Sequence, residues 1–249
     1  MLEKELIGKV ALVTGGARGI GKCIAETLAS KGANIVILDM KIQKEDEVIK
    51  NCEAMGVKVI AAECDITNLT DIHTTVNHIV ERMGQIDILI NNAGVYPSSP
   101  ILEVDESTFD FVIDVNLKGL FFLTQEVVKG SMLPNRYGKI VNISSCDGKN
   151  PGKGVSIYGA AKAGVISLTK SFASELSGLN INSNAVAAGW VESAQVLAND
   201  RWKEALPLIP SARLGKLSEI AESVAFLCND KVSYINGEIL DVNGGIIMD

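Results

Sequence analysis

The amino-acid sequence predicts an α/β fold: a doubly wound, mostly parallel seven-stranded sheet with helices on both faces, formed as a single domain over residues 1–249. Three observations predict it. Seven short apolar runs recur along the chain, helix-length amphipathic segments separate them, and glycines mark several of the joints. Residues 10–13, 35–38, 57–61 and 86–90 are short, mostly apolar and rich in β-branched side chains, as strands buried on both faces must be. Residues 140–143, the more polar 181–187, and 239–242 continue the series.

Helical segments are predicted near residues 20–31, 42–55, 69–83, 108–129, 157–177 and 217–228. Gly32, Gly56 and Gly84 each follow a helix and precede a strand, where a left-handed C-cap is expected. Parallel neighbours need crossover connections, and these have a fixed hand, so the helices cover both faces of the sheet. One region breaks the rhythm. Residues 191–215 hold Pro207, Pro210 and Trp202 between the sixth strand and the last helix, and so long an excursion reads as a substrate-binding loop or lid.

Composition narrows the function. At 47% hydrophobic and 21% charged residues the chain is neither disordered nor membrane-like. A net charge of −7 with no basic block argues against a nucleic-acid or anionic-membrane partner. No run reaches the ~18 apolar residues of a membrane span, and the N-terminal residues lack a signal-peptide layout. Cys23, Cys52, Cys64, Cys146 and Cys228 are scattered and odd in number, which reads as reduced thiols of a cytoplasmic protein. His73 and His78 are the only histidines and no metal-ligand spacing exists, so no metal is expected.

The first strand runs into Thr14-Gly-Gly-Ala-Arg-Gly-Ile-Gly21 and then a helix. Gly15, Gly19 and Gly21 permit a tight turn, with Arg18 and Ile20 between them, and let a pyrophosphate approach the helix N-terminus. The spacing departs from G-x-G-x-x-G but serves the same physics. Asp39 ends the second strand, eighteen residues after Gly21. A carboxylate there accepts hydrogen bonds from ribose hydroxyls and repels a 2′-phosphate, which favours NAD over NADP. Arg18 pulls the other way, since a guanidinium can pair with that phosphate. Asn92, Ala93 and Gly94 close the fourth strand at the carboxyl edge of the sheet, where such folds bind ligands. Asp65 and Ile66 follow the third strand at the same edge; the carboxylate could meet the adenine amine or equally cap the next helix.

Tyr158 and Lys162 stand four apart on a predicted helix, one above the other. Tyrosine has an unperturbed pKa of ~10, and a fixed cation beside it favours the phenolate, which suits proton transfer near neutral pH. Ser145 lies thirteen residues upstream at the end of the fifth strand.

With these residues assembled, the whole chain resembles the short-chain dehydrogenase/reductase family in its one-domain, Rossmann-type form, from Lys9-Val-Ala-Leu-Val-Thr-Gly to Asp241-Val-Asn-Gly-Gly245. The resemblance implies an NAD(P)-dependent oxidoreductase interconverting a secondary alcohol and a ketone. It assigns a catalytic tetrad of Asn116, Ser145, Tyr158 and Lys162, family spacing selecting Ser145 over Ser144. Tyr158 would exchange the proton, Ser145 would stabilise the charged oxygen, Lys162 would hold the nicotinamide ribose, and Asn116 would support a water leading from Lys162 to solvent. Gly189, Val191 and Ser193 would meet the nicotinamide. The family's Pro-Gly is here Ala188-Gly189, and Ser193 stands where a Thr is usual.

By the family's layout, residues 95–98, 146–154 and 190–208 line the substrate pocket, with Trp190 at its wall. Lys149 and Lys153 would favour an anionic substrate, whereas Asp147 would suit a polyol. An NAD-linked alcohol, sugar-alcohol or hydroxysteroid activity ranks first. Reduction of 3-oxoacyl groups on acyl carrier protein with NADPH ranks second: Arg136 suits an acidic carrier, but residues 174–180 lack the arginines frequent in those enzymes. A non-catalytic NAD-binding regulator is the remaining reading, and no member of the tetrad is missing to support it. The resemblance also implies a homotetramer, paired through the helices at 108–129 and 157–177.

Overall fold

The computed structural model describes residues 4–43 and 46–248. Its seven strands are β1 (Val10–Thr14), β2 (Asn34–Asp39), β3 (Val59–Glu63), β4 (Ile88–Asn91), β5 (Gly138–Ser145), β6 (Ile181–Ala188) and β7 (Ile239–Val242). They form one sheet in the order β3-β2-β1-β4-β5-β6-β7. Every pairing is parallel, so the sheet is wholly rather than mostly so.

Side chains alternate faces along each strand. Ala11 and Val13 of β1, with Ile35 and Ile37 of β2, pack on α1 (Gly19–Ser30) and the last helix. Val10, Leu12, Val36 and Leu38 pack on the opposite face, against α3 (Leu69–Met83) and α5 (Gly119–Val127). Between α1 and α3 lies α2 (Glu47–Ala54), shorter than the predicted 42–55, of which residues 44–45 fall outside the described chain. The third strand begins two residues later than predicted: Met55 and Gly56 form the turn after α2, and Ile35 pairs first with Val59. Gly32, Gly56 and Gly84 take φ of 95°, 81° and 84°, the left-handed caps the sequence predicts.

The helix predicted at 108–129 extends from Glu106 to Asn135 and is not uniform. It comprises α4 (Glu106–Ile113), a π turn Asp114–Lys118, α5, a second π turn Val128–Met132 and α6 (Leu133–Asn135). Such π turns break the regular hydrogen-bond ladder and are frequent at functional sites. Asn116 sits inside the first. Then α7 (Ser156–Leu176) packs on β5 and β6. The excursion at 191–215 folds into α8 (Ala194–Leu197), α9 (Arg201–Ala205) and a 3₁₀ turn, closed at its base by a bridge between Val191 and Gly215. The last helix, α10 (Leu217–Leu227), returns to the α1 face.

Candidate active site

The carboxyl ends of the strands open into a cleft of about 770 Å³. It straddles β1 and β4, where the connections reverse direction and open α/β sheets bind ligands.

One half of the cleft is made of backbone. A Cβ on Gly21 would sit 2.1 Å from the Gly15 carbonyl oxygen, so only glycine lets α1 start so close beneath the turn. The turn is stitched to β4. Asn92 donates its side-chain amide to the carbonyls of Thr14 (2.9 Å) and Gly15 (3.2 Å), and the Thr14 hydroxyl accepts from the amides of Asn92 and Ala93. Gly15, Arg18, Gly19, Ile20, Asp39, Ile66, Asn92, Ala93 and Gly94 all line this half. Asp39 accepts a hydrogen bond from the Ala17 amide at 3.2 Å, which fixes its carboxylate at the rim.

The other half is made of side chains. Ser145, at the end of β5, is buried, and its hydroxyl accepts from the Asp147 amide at 3.1 Å. Its own proton is directed at the Cys146 sulfur 4.0 Å away, a weak acceptor that an oxygen in the cleft would displace. Tyr158 and Lys162 project from α7, which is tied to β5 by Ser144 donating to the Lys162 carbonyl at 3.0 Å. Both serines border the cleft, but the Ser144 hydroxyl is spent on this tie. The Lys162 ammonium lies 5.7 Å from the centre of the Tyr158 ring and donates to the Ile143 carbonyl at 2.8 Å.

Asn116 does not border the cleft; it lies behind it. The π turn lets its side chain reach back, donating to the carbonyls of Val95 (2.8 Å) and Val112 (2.9 Å). A Cβ on Gly94 would fall 2.7 Å from the Asn116 side-chain oxygen and 3.6 Å from the Lys162 nitrogen, so this glycine marks the gap between the two.

The electrostatics differ from the expectation that Lys162 depresses the Tyr158 pKa. Burial of the phenol pushes it above its ordinary value, opposed by the hydrogen bond to Ser145. Burial also brings Lys162 down to about 8, because the charged ammonium is disfavoured away from water. Burial is the largest influence on both groups.

Besides Asn116 and Gly21, which sits beneath the glycine turn, three predicted site residues lie outside the cleft wall. Asp65 accepts from the Thr67 amide and hydroxyl (2.9 and 2.8 Å), forming a turn ahead of α3; the Asn68 side chain caps that helix. Lys149 turns away to pair with Asp241 on β7 at 2.6 Å, both side chains largely buried. Lys153 is exposed beside the cleft and contributes its carbonyl to Arg201. Asp147 does line the cleft, although its carboxylate already accepts from the Gly152 amide. Gly189, Trp190, Val191 and Ser193 line it too. Ser193 accepts from the Val196 amide as the cap of α8, and Gly189 packs so closely on Asn243 that a Cβ would lie 2.6 Å from its Cα.

Sequence reasoning placed the segments 95–98 and 190–208 at the pocket without singling out Tyr96 or Arg201, and it missed the polar network beneath the site. Tyr96 packs against Tyr158 with ring centroids 5.9 Å apart and the rings tilted by 56°, and Arg201 enters the cleft from the excursion. Beneath the site, Asn91 donates to Thr124 and Asn142, and Asn142 donates to Thr169, joining β4, β5, α5 and α7 through buried polar groups. The signal was available: asparagine is unusual inside strands that are otherwise apolar.

These features fit a nicotinamide dinucleotide: glycines whose side chains would fill the cradle, a rim carboxylate, and a serine, tyrosine and lysine facing one space. Known proteins agree. Residues 15–247 match the family model described as enoyl-(acyl carrier protein) reductase. The chain is 39% identical over 246 residues to the 3-oxoacyl-[acyl-carrier-protein] reductase of Thermotoga maritima, covering 98% of this chain and 100% of that one. It is equally similar, 39% over 243 residues, to the enzyme of that name from Staphylococcus aureus, covering 96% and 98%. Among solved structures, a putative short-chain alcohol dehydrogenase from Sinorhizobium meliloti superimposes with a TM-score of 0.92 at 33% identity, covering 98% of each chain. An NAD⁺-bound xylitol dehydrogenase does so with 0.92 at 29%, covering 97% and 100%.

The chain belongs to the short-chain dehydrogenase/reductase family. It is an oxidoreductase that acts on CH–OH groups and binds a nicotinamide cofactor.

Proposed function

We propose that this enzyme reduces a 3-oxoacyl group to the 3-hydroxyacyl group, with NADH as the hydride donor. The meeting of Ser145, Tyr158 and Lys162 in one cleft carries the chemistry. The substrate class is supported by full-length similarity to enzymes named for that reaction. This ranks it ahead of the NAD-linked alcohol activity that the sequence alone favours.

The bound nicotinamide supplies the hydride, and the protein does the rest. Tyr158 holds the proton that the carbonyl oxygen takes up; its raised pKa keeps that proton in place until negative charge develops on the oxygen. Ser145, its lone pair engaged by the Asp147 amide, donates a hydrogen bond to the same oxygen. Lys162 holds the ribose and, with Asn116 across the Gly94 gap, forms the route by which the tyrosine regains a proton from solvent. Asp39 at the rim disfavours a 2′-phosphate.

The test is to follow NADH and NADPH absorbance side by side with an acetoacetyl thioester, free or on acyl carrier protein, and with a polyol and ketone panel. Turnover of the thioester with NADH is expected. Turnover confined to polyols would replace this reading with the second one, which Asp39 and the xylitol dehydrogenase neighbour favour.

Two further properties belong to the same proposal. Self-association is supported by an apolar groove on α4, the π turn that follows it, α5 and α7, lined by Ile113, Leu117, Phe121, Phe122 and Leu168. Sedimentation as a monomer would remove it. Residence in the cytoplasm is supported by five unpaired cysteines and, among the described residues, no helix long and apolar enough to cross a membrane. Fractionation of cells carrying a tagged chain tests it.

A further inference from the structure

Ser145 ends β5 and also begins the segment after it. Its hydroxyl accepts from the Asp147 amide as the cap of a single 3₁₀ turn, Cys146–Gly148, so the turn and the serine share one orientation. Lys149 closes that turn, its amide donating to the Cys146 carbonyl at 3.0 Å. On one side the turn is pressed against α7: a Cβ on Gly148 would lie 2.8 Å from the Lys162 carbonyl carbon. On the other side the Lys149 side chain reaches past β6 to Asp241 of β7. In the sheet register Ser145 stands beside Ala188 of β6, and Asp241 beside Ala187.

The far end of this tie is connected as well. One Asp241 oxygen accepts from the Lys149 ammonium at 2.6 Å, and the other accepts from the Asn243 side-chain amide at 3.3 Å. Asn243 is the residue on which Gly189 packs, and the Gly189 amide donates to the Val242 carbonyl at 3.0 Å. One carboxylate therefore joins the turn that Ser145 caps to the backbone behind Gly189, on the wall expected to meet the nicotinamide. The two side chains are only 14% and 23% exposed, so desolvation opposes their attraction. Apolar packing would hold the turn down at less cost. A charge-assisted bond fixes its direction too.

We propose that Lys149 and Asp241 are positioning residues that set the Ser145 hydroxyl relative to the Gly189 wall, and so the substrate oxygen relative to the hydride donor. The inference rests on the role given above to Ser145 and holds for a 3-oxoacyl or a polyol substrate alike. Neither residue touches the reacting atoms. They act through the turn, and a misplacement of about 1 Å at a reacting centre costs on the order of 10²-fold in rate.

The experiment compares Lys149→Met, the double variant Lys149→Met/Asp241→Leu, Lys149→Arg and Ser145→Ala by steady-state rates and thermal melts. Rates are taken with NADH and an acetoacetyl thioester, or with NAD⁺ and a polyol where the panel above selects that reaction. Lys149→Met takes the ammonium from beside a buried carboxylate, and should lower the melting temperature and reduce kcat about tenfold or more. The double variant removes both charges, and Asn243 keeps its bond to the Ile247 carbonyl. Its melting temperature should return towards that of the wild type while kcat stays low and KM for the cofactor changes less than about twofold. Lys149→Arg, which keeps the charge, should retain more of kcat than Lys149→Met. Full kcat in Lys149→Met, or kcat that returns with the melting temperature in the double variant, overturns the inference and leaves the pair purely structural. Ser145→Ala tests the underlying role separately. Unchanged kcat there removes the part given to Ser145, and this inference with it, whereas a slow Ser145→Ala beside fully active pair variants removes this inference alone.

Discussion

The two halves of the cleft are built from different materials. The β1–β4 half is backbone: a glycine turn, a threonine hydroxyl and an asparagine amide hold peptide groups in place, and the one carboxylate at its rim is fixed by a peptide N–H. The β5–β7 half is side chain: a serine, a tyrosine and a lysine are brought together from β5 and α7, and an arginine is added from the excursion. Backbone supplies shape and hydrogen bonds without titrating. Side chains in a buried setting titrate, and burial moves their pKa values further than their neighbours do. The first half suits binding a constant cofactor; the second suits chemistry and the choice of substrate.

The division is broken most severely at Tyr158. Tyr158→Phe keeps the ring that packs against Tyr96 and removes only the hydroxyl. We expect kcat to fall by about 10²–10⁴-fold, the usual contribution of a positioned acid. NADH affinity, measured by fluorescence titration, should change less than about threefold, because that interaction belongs to the other half. A matching loss of NADH affinity would mean that the halves are not separate.

The same division explains what was legible in the sequence. The glycine turn, Asp39 and the Asn92–Gly94 segment could be read because their function depends on residue type at a fixed place between strand and helix. Tyr158, Lys162 and Ser145 were legible through helical spacing and strand ends. Lys149 was misassigned because sequence cannot tell which way a loop lysine turns; its partner, Asp241, lies 92 residues away on β7. Arg201 was not singled out within the predicted pocket segment for the same reason, since the excursion has no periodicity to place it over Trp190. Asn116 looked like an irregularity in a helix, and only the π turn makes plain how it reaches the backbone of Val95. The sign of the Tyr158 shift also depended on burial depth, which spacing does not report.

Lys162 provides the next test. Its folded pKa of about 8 lies below the ordinary lysine value of 10.5, so between those values the unfolded chain binds more protons than the folded one. The penalty for burying the ammonium is therefore fully present below pH 8 and fades as the pH rises towards 10.5. Lys162→Met removes the charge at similar length. It should abolish most activity yet raise stability at pH 7 by on the order of 2 kcal/mol, offset by the lost bond to the Ile143 carbonyl. The gain should shrink as pH rises through that window, as thermal melts across pH 6.5–10 would record. A variant less stable than wild type at every pH would mark the lysine as structural and undo the claim that this half sacrifices stability for function.

The smallest effect should come from the backbone half, where charge enters only at its rim. Asp39→Asn keeps an oxygen to accept from the Ala17 amide, so the turn retains its hydrogen bond and only the charge is lost. Removing a like charge beside a 2′-phosphate should shift the ratio of kcat/KM for NADPH over NADH upward by about tenfold, with Arg18 at the same rim ready to pair with the phosphate. Adding Arg18→Ala should reverse part of the shift. Steady-state rates with both cofactors at equal ionic strength measure it, since salt screens an exposed rim. An unchanged ratio in Asp39→Asn would mean that backbone shape, not the rim carboxylate, selects the cofactor, making the two halves still more distinct than their present geometry requires.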